Sequence, residues 1–288
     1  MRPRQWLKNV FVFAALAFSE QRLWTRPDQV LLVFGAFVAF CLAASSIYLI
    51  NDLADIEKDR AHPRKCNRPL ASGRLSPTTA IAAAVTMILL LVPIAYLLDP
   101  GFGFMAVLAM YISIQGFLYT YWLKNIVLLD ILTIAAGFVL RAVGGAVVIA
   151  TPMTPWLLVC MGLLALFLGI GKRRHELILL HKGAGDHRRI LNEYSLPMLD
   201  QMLSIVTASI IMAYSMATFS APAVPREPYP LLMSTIPFVV YALFRYLYLI
   251  YQRVEGGSPE ELVLKDPPLA ISIMLWGIIV LVMMFLSG

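Results

Sequence analysis

At 288 residues, 60% of them hydrophobic and only 14% charged, with a mean hydropathy of +0.77, the chain cannot be a water-soluble globular domain. A bilayer is the solvent that such a composition requires. The net charge of +6 is therefore a topology signal before it is a sign of an anionic partner, and it implies no nucleic acid.

A helix needs roughly 20 apolar residues to cross the hydrocarbon core. Runs bounded by charges, Pro or Gly predict about nine spans, near residues 5–20, 29–51, 77–98, 103–122, 126–149, 155–172, 198–219, 230–251 and 268–287. The first begins with Arg2, Arg4 and Lys8, as a signal peptide would, yet no small-residue cleavage site follows before Trp24, so it counts as a span. With the N-terminus inside, eighteen of the 23 Lys and Arg residues fall in inner segments, and only Arg22, Arg26 and Arg226 fall in outer ones. The expected fold class is all-α: a polytopic bundle forming one domain over 1–288, in which spans 2–5 and 6–9 have the topology of two related halves. Cys41 and Cys160 lie inside spans and Cys66 in an inner loop, so neither a disulfide framework nor a zinc site is implied.

The second span ends in Asn51-Asp52-Leu53-Ala54-Asp55-Ile56-Glu57-Lys58-Asp59-Arg60. On a continuing helix Asp52, Asp55 and Asp59 fall at i, i+3 and i+7 and share a face with Asn51. Carboxylates so placed repel unless a cation sits between them, and hard oxygen ligands suit Mg²⁺, which takes one or two carboxylates plus substrate phosphates. The competing reading is a solvated, charged helix end. The turn Arg68-Pro69-Leu70-Ala71-Ser72-Gly73 then sets Arg68 beside the carboxylates, and carboxylate, metal and arginine together describe a diphosphate site. As isolated cations the same residues would be positive-inside anchors.

The fifth span carries Asp130 just inside the membrane and Arg141 eleven residues deeper on the same face, near Gly137 and Gly144. An arginine at mid-bilayer costs roughly 2.5 kcal/mol or more, so it either faces a wet cavity or is held in a structural pair. Tyr119, at the inner end of the fourth span, lines a cavity or joins an interfacial belt. After the sixth span come Lys172, Arg173 and Arg174, then His175 and Glu176. Three adjacent cations attract an anion or simply anchor the loop. His62 and His175, each in a basic loop, read as surface residues rather than bases.

The NDxxDxxxD run, the RPLxSG turn, the opening Arg2-Pro3-Arg4-Gln5-Trp6-Leu7-Lys8-Asn9 and the Tyr119–Lys124 segment resemble the UbiA superfamily of intramembrane prenyltransferases, and the resemblance covers nearly the whole chain. It implies nine helices around a cavity open to the cytosol, in a bacterial plasma membrane, with Mg²⁺ on Asp52, Asp55 and Asp59 gripping a diphosphate. Typical members carry a second aspartate-rich motif after the sixth span. Here Gly171 to Leu177 holds three cations instead, with Asp186 further on. That segment and the opening one are similar to the branch of decaprenyl-phosphate phosphoribosyltransferases. Such an enzyme moves a 5-phosphoribosyl group from phosphoribosyl diphosphate to a polyprenyl phosphate, for arabinan precursor synthesis. By this resemblance Lys8, Arg60, Arg68, Lys124, Lys172, Arg173 and Arg174 bind phosphate oxygens, Tyr119 and Arg141 line the cavity, and Asp130 or Glu176 faces the ribose. A prenyltransferase with an aromatic acceptor and a transporter are the rival readings, and a homo-oligomer is compatible with all three.

Overall fold

A computed structural model of the chain describes residues 3–61, 65–181, 189–221, 230–253 and 259–286, and every regular element among them is helical. Arg2, His62, Asp186 and Arg226 lie outside the described residues. Among the described residues eight helices are long and apolar enough to cross a membrane: α1 (Pro27–Ala54), α2 (Pro77–Leu98), α3 (Gly103–Tyr121), α4 (Leu129–Val148), α5 (Pro155–His181), α6 (Leu196–Ser220), α7 (Leu231–Gln252) and α8 (Pro267–Leu286). Their starts are written in the sequence. Pro77 follows Ser76, whose hydroxyl accepts the Thr79 N–H at 3.1 Å, and Ser195 caps α6 through the Met198 N–H at 3.3 Å. Their outer faces stay apolar: Leu89, Leu97 and Leu281 are all more than half exposed, as lipid contact requires.

The expected first span takes a different form. Residues Pro3–Phe13 wind as a 3₁₀-helix and continue into one α-helical turn, Ala14–Ala17. At about 2.0 Å per 3₁₀ residue and 1.5 Å per α residue the segment rises roughly 28 Å, close to the hydrocarbon thickness although it has too few residues for an α-helical span. It packs between α1 and α4. The Trp6 indole N–H reaches Ser45 Oγ at 3.3 Å, Asn9 Nδ2 donates to Cys41 Sγ at 3.1 Å, and the Val12 carbonyl sits where a side chain on Gly145 would be, 1.9 Å from the position of a Cβ.

The described residues form two compact units. Unit 1 comprises Met1–Ala17, Arg22–Met153 and Gly185–Ile190; unit 2 comprises Phe18–Gln21, Thr154–Ala184 and Leu191–Gly288. In unit 1, Phe40 packs edge-on against Phe104 and Tyr111, with ring centroids 6.0 and 5.2 Å away. It fills the space left by Gly144, where a Cβ would come within 2.6 Å of the ring. In unit 2, α6 buries Leu199 and Leu203, and α5 buries Phe167 against Tyr246 of α7. Arg245 grips both oxygens of Asp266 at 3.0 and 2.8 Å, and Asp266 in turn accepts the Leu269 N–H at 2.9 Å, capping α8.

Candidate active site

The acidic segment does not continue α1 as a straight helix. The helix ends at Ala54, Asp55 leaves helical geometry at φ −105° and ψ 12°, and a short helix resumes over Ile56–Ala61. The backbone ladder nevertheless holds across the bend: Asp55 N–H bonds to Asn51 O at 3.0 Å and Asp59 N–H to Asp55 O at 2.8 Å. The single face expected for Asp52, Asp55 and Asp59 is therefore bent. Among the described residues no three His, Cys, Asp or Glu side chains come together closely enough to enclose a metal on protein ligands alone.

Two cations gather the carboxylates. Arg68 Nη1 lies 3.1 Å from Asp52 Oδ1 and 2.5 Å from Asp59 Oδ2. It is aimed by its own turn, closed by Ser72 N–H to Arg68 O at 2.8 Å, by Leu75 N–H to Pro69 O at 2.9 Å, and by Gly73 at φ +76°, a conformation suited to glycine. Leu70, 3% exposed, pins that turn to the apolar interior. Lys124 Nζ meets both oxygens of Asp55, at 3.0 and 2.9 Å, from a 3₁₀ turn that follows α3. Both pairs are part-buried, so breaking one leaves its partner charged and less well solvated than a surface group. Between these pairs, the Thr120 hydroxyl donates to Asn51 Oδ1 at 2.7 Å. Thr120 was not singled out as a site residue in the sequence; its signal was its place inside the Tyr119–Lys124 segment, four residues before Lys124.

The structure thus brings together Asn51, Asp52, Asp55, Asp59, Arg68 and Lys124. Asp130 is fully buried in the first turn of α4, entered through Leu128 at φ 68°. That positive φ on a non-glycine residue is a local strain of the sort that collects at functional sites. Tyr119 is half-buried on the last turn of α3. Arg60 is exposed and pairs with Glu57 at 2.8 Å. Lys8 is half-buried in the N-terminal 3₁₀-helix beside Asn9.

Arg141, 7% exposed, is held by neutral partners: Nε donates to Asn9 Oδ1 at 2.7 Å, Nη1 to Gly137 O at 2.7 Å and Nη2 to Tyr111 OH at 2.6 Å. The rings of Tyr111 and Phe138 lie 4.8 and 5.2 Å from its guanidinium carbon. These bonds tie the N-terminal segment to α3 and α4.

In unit 2, Lys172 is exposed on α5, whereas Arg173 is 2% exposed and paired with Glu176. Arg174 donates to Asp200 Oδ1 at 2.6 Å and to Ile250 O at 3.3 Å, and lies over the Tyr251 ring at 4.2 Å. Arg174 thereby fastens α5 to α6 and α7.

Paired carboxylates and cations gather at the end of a membrane helix in an all-helical chain, and the chain belongs to the UbiA prenyltransferase family, which matches residues 9–261, a class of membrane-embedded transferases. It is 33% identical over 279 residues to the decaprenyl-phosphate phosphoribosyltransferase of Corynebacterium glutamicum, covering 96% of this chain and 82% of that one. The enzyme of the same name from Mycolicibacterium smegmatis is 34% identical over 285 residues, covering 96% and 88%. A solved UbiA homolog from Archaeoglobus fulgidus, bound to GPP and Mg²⁺, shares the fold at a TM-score of 0.69 and 17% identity, over 98% of this chain and 94% of that one.

Proposed function

We propose that this chain transfers the 5-phosphoribosyl group of phosphoribosyl diphosphate to a polyprenyl phosphate, decaprenyl phosphate being the acceptor named for its relatives, with the N-terminus and the site on the cytoplasmic side. The observation that carries this reading is the likeness at 31–34% identity along 96% of the chain to enzymes of that name. The carboxylate and cation pairs of unit 1 supply chemistry that suits it.

In the reaction the bond between ribose C1 and the diphosphate oxygen breaks, and a bond from C1 to a lipid phosphate oxygen forms. The donor set fits a hard divalent ion. Asp52 and Asp55 are half-buried carboxylates, and two carboxylates plus diphosphate oxygens complete the shell that Mg²⁺ prefers. When bound, the ion neutralises charge on the departing diphosphate. Arg68 and Lys124 stand on those same carboxylates and contact diphosphate oxygens in our reading, Arg68 with its planar fork and Lys124 as a point charge. Arg141, Arg173 and Arg174, each held by protein partners, serve the fold. The lipid phosphate needs no base: its second pKa lies near 6, so at about pH 7 its nucleophilic oxygen is already unprotonated.

The purified chain in nanodiscs, given decaprenyl phosphate, Mg²⁺ and either phosphoribosyl diphosphate or geranyl diphosphate, tests the proposal. Phosphoribosylated lipid and free diphosphate should appear with the first donor alone. Turnover of geranyl diphosphate with none of phosphoribosyl diphosphate would overturn it.

A further inference from the structure

We infer that Thr120 is a positioning residue that fixes the amide of Asn51 so that its Nδ2 serves the donor diphosphate as a hydrogen-bond donor. The inference rests on the diphosphate site proposed above. Thr120 is 1% exposed at the end of α3, and its single hydroxyl hydrogen goes to Asn51 Oδ1 at 2.7 Å. The amide group is planar, with its oxygen and nitrogen on one carbon about 120° apart. Holding Oδ1 on Thr120 therefore fixes the direction in which Nδ2 points. The two Nδ2 hydrogens make no hydrogen bond among the described residues.

Asn51 directly precedes Asp52, and its backbone carbonyl accepts the Asp55 N–H at 3.0 Å, so the amide is anchored to the same bend that presents both carboxylates. A metal on Asp52 and Asp55 would bring the donor diphosphate beside this amide. A diphosphate on that metal gains a neutral donor, which adds a directed hydrogen bond without adding to the positive charge of Arg68 and Lys124. A buried hydroxyl that holds one acceptor in one orientation is worth about a factor of ten when removed.

The test separates the two ligands. Binding of inorganic diphosphate in the presence of Mg²⁺ is measured by calorimetry, and binding of Mn²⁺ alone by paramagnetic resonance, on the full chain in detergent. Thr120→Val, nearly isosteric, should bind diphosphate about 5- to 10-fold more weakly and Mn²⁺ alone as the wild type does; Thr120→Ser should restore diphosphate affinity to within about twofold. Asn51→Asp, which sets a carboxylate against phosphate oxygens, should lose diphosphate affinity while keeping or tightening Mn²⁺ binding. Undiminished diphosphate affinity in Thr120→Val, no rescue by Ser, or an Asn51→Asp chain that binds diphosphate normally would each overturn the assignment. Neither measurement involves transfer to a lipid, so a different donor sugar or acceptor would sink the proposed reaction and leave this result readable.

Discussion

Asp55 shows how closely charge is matched at single residues. Its two oxygens are both engaged by Lys124, so its removal takes away a metal ligand in our reading and strands a cation at once. Asp55→Asn should lower transfer by on the order of 100-fold or more while the protein still elutes as a folded species. His175→Gln should retain most activity with an unchanged acidic limb of the pH profile, since the acceptor phosphate arrives deprotonated. A histidine variant as inactive as Asp55→Asn, yet still binding donor, would reopen the case for a hydroxyl acceptor. The charged members of this group were legible in the sequence because ionised side chains at a membrane edge are costly and therefore few. Thr120, Asn9 and Tyr111 were not, because a neutral polar residue in an apolar run looks the same whether it holds a partner or faces lipid. The bend at Asp55 was hidden too, since nothing in Ala54-Asp55-Ile56 forbids a continuing helix.

Among the elements, the N-terminal 3₁₀-helix depends on a backbone-to-backbone approach. A Cβ on Gly145 would stand 1.9 Å from the Val12 carbonyl oxygen, and a main-chain atom cannot swing aside as a side-chain tip can. Gly145→Ala should destabilise unit 1 by about 2 kcal/mol, seen as a lower melting temperature in detergent and faster cleavage near the N-terminus by protease. Wild-type behaviour would mean that the segment docks elsewhere. The start of α8 offers a pH-dependent case. Hydrogen bonding from Arg245 holds the Asp266 carboxyl below the ordinary carboxylate range, despite the opposing effect of burial. A depressed folded-state pKa contributes stability above the unfolded value of about 3.9 and loses it as pH falls through the lower folded value. The melting-temperature gap between wild type and Asp266→Asn should therefore be full at neutral pH and shrink below about pH 4. Helix positions were largely readable, because hydropathy and the Ser-Pro and Pro starts mark them. The 3₁₀ winding of Pro3–Phe13 was not, since apolar run length does not distinguish 1.5 from 2.0 Å per residue.

At the scale of the whole molecule, composition alone required a bilayer, and the eight long helices answer that requirement. What composition could not supply is the division of the described chain into two units, with the main boundary between Met153 and Thr154 and short segments exchanged on either side, each unit with its own packed interior. Within unit 1 the tie between Asn9 and Arg141 joins residues 132 positions apart. Synthesis at about 5–20 residues per second separates the two partners by roughly 7–26 seconds. The 3₁₀-helix, made before α4, is thus seated only after it, because the groove that receives it is completed only when α4 arrives. Until then Asn9, which the finished protein buries completely, has no guanidinium to meet.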